Sequence, residues 1–360
     1  MTSYLTALAC PRCHSVLTEI TYRAYVEQLK GQPLTRTGTP PTARPDTVLL
    51  CSRCSRAYPV LEGTPILLAP EALSSEPVSE DLTHPYYAEA YAEMEHYGSV
   101  AREQARHLES SPPFRSVKRS IECAAEGCFG LLRPVDAWLD QMPDTEAHWD
   151  AYSHLGDIGG AEVLQLGGKG TNVVRMLLAG AETGWLLTPM LGEVAFARSL
   201  ADAAGVRDRF HAVVGVAEEL PFREDRLDAV FTAGCLHHMQ TGRVFEELAR
   251  ALRPGGRFSA VEPWRAPLYG IGTRIFGKRE PNPFCRPLTE DRVRTFGSTF
   301  KRADVVHHGA FLRYPLIVAQ KVGYEPRLAT ARRIMRFDDA LASLLGVRRF
   351  GSCVALLAQT

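Results

Sequence analysis

The sequence predicts an α/β protein built on an open, mostly parallel sheet of the nucleotide-binding kind. Three observations predict it. A short apolar run, Val163, Leu164 and Leu166, feeds into the glycine-rich turn of Ala161–Gly170 (AEVLQLGGKG), and Thr171–Ala179 then read as a helix. Apolar segments and helical stretches go on alternating: Gly184–Leu187, a helix over Gly192–Ala204, Val213–Val214, Leu227–Phe231 and a helix over Val244–Leu252. Finally, Leu252–Arg257 (LRPGGR) forms a turn ahead of another apolar run, Phe258–Val261.

Each other part of the chain has its own signature. At 360 residues there is room for one medium domain with appendages. Four of the nine cysteines form two Cys-x-x-Cys knuckles, Cys10/Cys13 and Cys51/Cys54; the others are scattered and read as small buried apolar groups. Two such knuckles can aim four thiolates at one tetrahedral, structural zinc, and a redox dithiol is the rival reading. The Pro- and Thr-rich insert Gln32–Asp46 is expected as a loop on this ribbon, and Glu71–Asp81 as a linker. From His84 to Trp149 the pattern is helical, interrupted at Ser111-Pro112-Pro113 and Arg133-Pro134. A stripe of Tyr86, Tyr87, Tyr91 and Met94, with Phe129, Leu131, Leu132, Trp138 and Leu139 further on, suggests either core packing or a helical cap over a cleft. Residues 1–70 are thus expected as a zinc ribbon, 71–148 as linker and cap, and 149–360 as the α/β domain. Loss of metal is expected to unfold the ribbon and leave the large domain folded.

Composition narrows the partners. Lys plus Arg and Asp plus Glu both number 41, so no global field draws in nucleic acid or an anionic membrane. No apolar run is long enough to span a bilayer, and the N-terminus lacks the pattern of a secretory signal, so a cytoplasmic location is expected. The oligomeric state is left open.

From Ala161 onward the ordered motifs resemble class I S-adenosylmethionine (SAM) methyltransferases of the type 11 kind. The segments that carry the resemblance are the glycine turn, Val213–Phe222 (VVGVAEELPF), Leu236–Met239 (LHHM) and Leu252–Arg257. The N-terminal knuckles, with Ala57–Val60 and Gly63–Leu68, resemble methyltransferase-associated zinc ribbons. The resemblance implies a seven-stranded, mostly parallel Rossmann-like sheet, with Arg302–Ala319 around the sixth strand and Ser352–Ala358 as an antiparallel seventh. A helix is expected over Asp338–Leu345.

It also implies a cofactor site at Gln165, Gly167, Gly168, Lys169, Gly170, Thr188, Val216 and Ala217, and here the sequence departs from the family. Where the family's turn reads D-L-G-C-G-T-G, this chain has Gln165-Leu166-Gly167-Gly168-Lys169-Gly170-Thr171. Thr188 falls where an acid grips the ribose diol, and Val216 where an Asp accepts from the adenine amine. Two lost contacts of ~1.4 kcal/mol each would take a micromolar dissociation constant to about 100 µM.

In similar small-molecule O-methyltransferases the first His of this motif takes a hydroxyl proton and an acid after the fifth strand assists. That makes His237 the base and Glu262 its partner, with His238 packing or capping a helix. Three functions stay open: an O- or N-methyltransferase acting on a small molecule in specialised metabolism, an rRNA or tRNA methyltransferase with a fused ribbon, and a protein of this fold that has abandoned SAM for lyase or cyclisation chemistry or for a non-catalytic role. Basic and aromatic residues between Trp264 and Pro287 (Tyr269, Arg274, Phe276, Lys278, Arg279) would line a substrate lid or touch RNA phosphates.

Overall fold

A computed structural model describes residues 3–29, 45–68, 96–132, 134–139, 142–267, 287–324 and 326–360. The Tyr86–Met94 stripe, the linker Glu71–Asp81, nearly all of the insert Gln32–Asp46 and the stretch from Tyr269 to Arg279 lie outside the described residues.

The described residues form two sheets. The smaller is antiparallel, with β1 (Leu17–Thr21), β2 (Thr47–Cys51), β3 (Ala57–Leu61) and β4 (Thr64–Pro65) side by side in chain order; α1 (Tyr22–Leu29) follows β1. Next come helical residues 96–106 (α2), then α3 (Pro112–Ala125), α4 (Val135–Trp138) and α5 (Thr145–Leu155). The Ser111-Pro112-Pro113 break starts α3: Ser111 caps it by accepting from the Phe114 amide (3.3 Å), and the prolines occupy its first turn, where no amide donor is needed. Phe129 is exposed, whereas Leu131, Trp138 and Leu139 are buried.

The larger sheet has seven strands. In chain order its elements are β5 (Glu162–Leu166), α6 (Thr171–Leu178), β6 (Thr183–Thr188), α7 (Leu191–Ala203), β7 (Phe210–Val214), β8 (Leu227–Ala233), α8 (Thr241–Ala251) and β9 (Leu252–Pro263), followed by α9 (Phe296–Thr299), β10 (Arg302–His308), α10 (Arg313–Lys321), α11 (Leu328–Leu344) and β11 (Cys353–Gln359). The strands lie in the order β10-β11-β9-β8-β5-β6-β7, with β5 to β9 parallel and β11 antiparallel to both its neighbours. The first strand of this sheet, β5, therefore lies inside it between β8 and β6, and the chain winds away from it in both directions, which opens a crevice at the carboxyl ends. Central strands are apolar throughout because both faces are covered: along β8, Ala229 and Phe231 pack on one side and Val230 on the other. One face carries α3 to α7 with Leu61, Ile66 and Leu68 of the ribbon; the other carries α8, α9 and most of the ribbon.

Two expectations change. The last long helix starts at Leu328, ten residues before Asp338. The ribbon is not a separate module. Leu8, Leu49, Tyr58 and Leu67 share one core with Leu164, Trp185, Val213 and Phe222. Ile66 bridges Val214 in parallel and Leu8 bridges Phe222 antiparallel, so the ribbon covers the exposed edge of β7.

Candidate functional site

The four ribbon cysteines converge. Each knuckle closes on a backbone bond, His14 N to Cys10 O at 2.8 Å and Ser55 N to Cys51 O at 3.0 Å, and each of these two donors takes a φ of 55°. Matched turns bring the four thiols within 4.8 Å of one another, with Cys10 Sγ 3.6 Å from Cys54 Sγ and Cys13 Sγ 3.4 Å from Cys51 Sγ. Four sulfurs at ~2.3 Å from one tetrahedral zinc would lie roughly 3.8 Å apart, so the set fits that ion. Burial pushes the Cys10 thiol up to about 12, against hydrogen bonds that include the Tyr58 hydroxyl at 3.3 Å. At Cys13 burial also acts upward, but hydrogen bonds from Ser15 and the neighbouring thiols outweigh it and bring the group to about 6.

The second feature is a cleft of about 560 Å³ at the carboxyl ends of β5, β6, β7 and β8. Gly167, Gly168 and Lys169 form its floor. Leu187, Pro189, Met190 and Glu193 form one wall, Val216, Ala217 and Glu218 the next, and Cys235, His238 and Met239 the third. Its lining is largely apolar, as nucleoside-sized clefts are. The turn keeps its glycines where the backbone needs them: Gly167, Gly168 and Gly170 all have φ between 69° and 79°, and a Cβ on Gly170 would stand 2.6 Å from that of Ala197. Lys169 adopts no such conformation, so it puts no strain on the turn. Its ammonium reaches across to α2 and donates to Gln104 Oε1 at 2.6 Å; burial lowers its pKa and the charge of Glu193 opposes that shift. The α2 segment closes in further where Gly98 meets Gly192, since a Cβ on Gly192 would lie 2.2 Å from the Gly98 carbonyl oxygen. This contact leaves Tyr97 lining the cleft.

A smaller cavity of about 230 Å³ adjoins the cleft and shares Ser116, Gly168, Lys169, Thr171, Ala233 and Gly234 with it. Its lining is polar: Asp144, His148, Asn172, Arg175, Glu262 and Arg313. His148 is buried, and its Nδ1 lies 3.1 Å from the Asp144 carbonyl. A carbonyl only accepts, so Nδ1 donates and a neutral ring carries its lone pair on Nε2.

The other sequence-picked residues are placed as follows. Gln165 ties the turn from both sides, donating to Gly167 O and accepting from the Val173 amide, each at 2.8 Å. Val216 and Ala217 line the cleft. Thr188 does not line it: the side chain is fully buried behind the wall, donating to Glu193 Oε2 at 2.7 Å and accepting from the Met190 amide at 3.3 Å. His237 is buried, with Nδ1 2.7 Å from Glu262 Oε2, and its ring stands 4.0 Å from that of His238, which does line the cleft. The two histidines therefore exchange the surroundings expected for them, because the short 3-10 turn Leu236–His238 points its middle residue back at β9. Glu193 and His148 escaped the sequence reading. An acid in the first turn of a helix reads as a partner of the helix dipole, and nothing local marks a helical histidine.

Residues 164–260 match the family described as Methyltransferase domain. The chain is 30% identical over 141 residues to a probable phthiotriol/phenolphthiotriol dimycocerosates methyltransferase 2 of Mycobacterium ulcerans, covering 32% of this chain and 55% of that one. It is 34% identical over 146 residues to a tRNA U34 carboxymethyltransferase of Idiomarina loihiensis, covering 36% and 44%. Among solved structures, the geranyl diphosphate C-methyltransferase of Streptomyces coelicolor aligns at 18% identity over 69% of this chain and 98% of that one, with a TM-score of 0.43. The chain aligns with between 21% and 55% of the length of the curated relatives it matches. The large sheet is Rossmann-like, residues 164–260 of it match a methyltransferase domain, and a four-cysteine ribbon is built onto its edge.

Proposed function

We propose that this chain binds SAM in the 560 Å³ cleft and directs its methyl group to a small molecule held in the adjoining polar cavity. The observation that carries this reading is the shared floor: a nucleoside-sized apolar cleft and a polar cavity meet at Gly168, Lys169, Ala233 and Gly234, beside the first glycine turn. Bound SAM supplies a methyl group on a sulfonium, and the acceptor loses a proton as it gains that methyl.

The chain's own groups divide the remaining work. Val216, Ala217, Leu187 and Met190 pack a purine and exclude water. Arg175 and Arg313 border the polar cavity and orient the acceptor; Arg175 is held by the Ser116 carbonyl and hydroxyl at 2.8 and 2.7 Å. His148 Nε2 takes the proton of a hydroxyl or amine acceptor. His237 and Glu262 position the turn that closes the cleft. The ribbon cysteines hold a zinc whose thiolate coordination is complete and whose role is structural.

The M. ulcerans relative is named for phthiotriol and phenolphthiotriol dimycocerosates, in keeping with a small-molecule acceptor, whereas the I. loihiensis relative is named for tRNA. Equal numbers of acidic and basic residues favour the first.

Calorimetric titration with SAM and with S-adenosylhomocysteine tests the reading. One site per chain is expected, and absence of binding to either would overturn it. Once an acceptor is identified, His148→Ala should lower turnover at least about a hundredfold with a modest change in KM. Unchanged turnover would remove His148 as the base.

A further inference from the structure

We propose that Glu193, rather than the residue ending β6, receives the ribose diol of the bound nucleoside, with Thr188 as the hydroxyl that aims it. The inference rests on the SAM reading of the cleft and goes beyond it by naming the group that makes the site specific for a ribonucleoside. Thr188 stands where a ribose acid would end the second strand, yet it is fully buried and is not among the residues lining the cleft. Its one hydroxyl proton is committed to Glu193 Oε2 at 2.7 Å, and its oxygen accepts from the Met190 amide. Glu193, in the first turn of α7, does line the cleft, beside Leu187, Pro189 and Met190.

The acid has thus moved five residues along the chain, and the longer side chain returns its carboxylate to the same wall. A carboxylate offers about four acceptor directions, so accepting from Thr188 is compatible with accepting from two vicinal hydroxyls. Thr188 fixes the rotamer before ligand arrives, which lowers the ordering cost of binding. The Gly98–Gly192 contact holds the same turn of α7 from outside, so the wall carrying Glu193 is backed by the α2 segment. Lys169, on the floor opposite, feels the charge of Glu193 and carries the matching positive charge.

A carboxylate in the first turn of a helix also serves the helix dipole. The experiment must therefore read ribose recognition and not affinity alone. Binding of S-adenosylhomocysteine and of its 2′-deoxy analogue is measured by calorimetry on the wild-type protein, Glu193→Gln and Thr188→Val, with thermal melting as the check on folding. The wild-type protein is expected to prefer the ribose form by at least about tenfold, as a hydrogen bond to a charged acceptor implies. Glu193→Gln should lose most of that preference, and Thr188→Val should lose part of it while keeping the carboxylate. Equal weakening of both ligands in Glu193→Gln would assign Glu193 a structural role and overturn the inference. Unaltered preference in both variants would do the same. Failure of the wild-type protein to bind S-adenosylhomocysteine at all would overturn the SAM reading and this inference with it. A Glu193→Gln protein that does not fold leaves Thr188→Val decisive: full ribose preference there rejects the arrangement.

Discussion

Four hydrogen bonds end on the carboxylate of Glu262: the amides of Cys235 and Leu236 at 3.0 and 2.8 Å on one oxygen, and the amide and Nδ1 of His237 at 3.3 and 2.7 Å on the other. Glu262 is essentially inaccessible to water, so its amide isostere would turn an NH2 group toward donors that need an acceptor. Glu262→Gln is accordingly expected to destabilise the fold by about 2–4 kcal/mol, read as a lowered urea midpoint at unchanged m-value. An unchanged midpoint would show that the turn holds itself. The pairing of His237 with an acid after the fifth strand was legible in the sequence; that the pair faces inward was not, since one residue of register in a 3-10 turn decides it. The same distinction holds at β6. Counting from the helix located Thr188 at the end of the strand, but only the fold shows its hydroxyl spent on Glu193. On the proposed reading, with Glu193 taking the ribose and Val216 offering the adenine no acceptor, the expected dissociation constant for SAM is about 10 µM instead of about 100 µM.

Among the elements, β10, α5 and α11 are held together by one buried imidazole. His308 Nδ1 lies 2.6 Å from Asp339 Oδ2 and its Nε2 3.2 Å from Asp150 Oδ2, with Asp339 on α11 and Asp150 on α5. Burial pulls the pKa of His308 down, but the two carboxylates outweigh it and raise the group to about 9. A folded pKa above the unfolded value of ~6.5 stabilises the protein fully below pH 6.5, and that contribution is lost as pH rises through 9. Denaturant titrations at pH 6.5 and 9.5 should therefore show a weaker fold at the higher pH, by a few kcal/mol at most. His308→Gln should flatten the difference; a slope retained in this variant would place its origin elsewhere. The extent of α11 was hidden by the same chemistry. Ala331, Met335 and Ala342 supply an apolar face. Arg332 and Arg336 interrupt it in sequence, yet both fold back onto the buried Glu146, at 2.6 and 3.1 Å.

For the molecule as a whole, the order of strands and helices could be read directly, because strands buried on both faces are written as apolar runs and the turns between them as glycine and proline. How the ribbon attaches could not, because main-chain groups make much of the joint: Leu67 N to Val214 O at 2.7 Å, Ala9 N to Pro221 O at 2.9 Å and Arg223 N to Ala7 O at 3.0 Å. Backbone pairing leaves no pattern in side chains. An ion pair of Arg12 with Glu219 at 3.1 Å and a contact of His14 Nε2 with Glu247 Oε2 at 3.4 Å lie beside the knuckles. The joint also reaches the cleft. Gly215, which lines it, sits where an added Cβ would lie 3.5 Å from the Leu67 carbonyl oxygen, so the wall continuing into Val216 stands on the ribbon. Metal binding that orders the knuckles is consequently expected to stabilise the large sheet too. Stripping zinc from the full chain with a chelator should lower the melting temperature of a single calorimetric transition and weaken S-adenosylhomocysteine binding, with both recovering on addition of one equivalent of zinc. Cys51→Ser should reproduce both effects without chelator. Two separate transitions, the upper one unmoved by the chelator, would show instead that the ribbon unfolds alone and that the cleft wall stands without it.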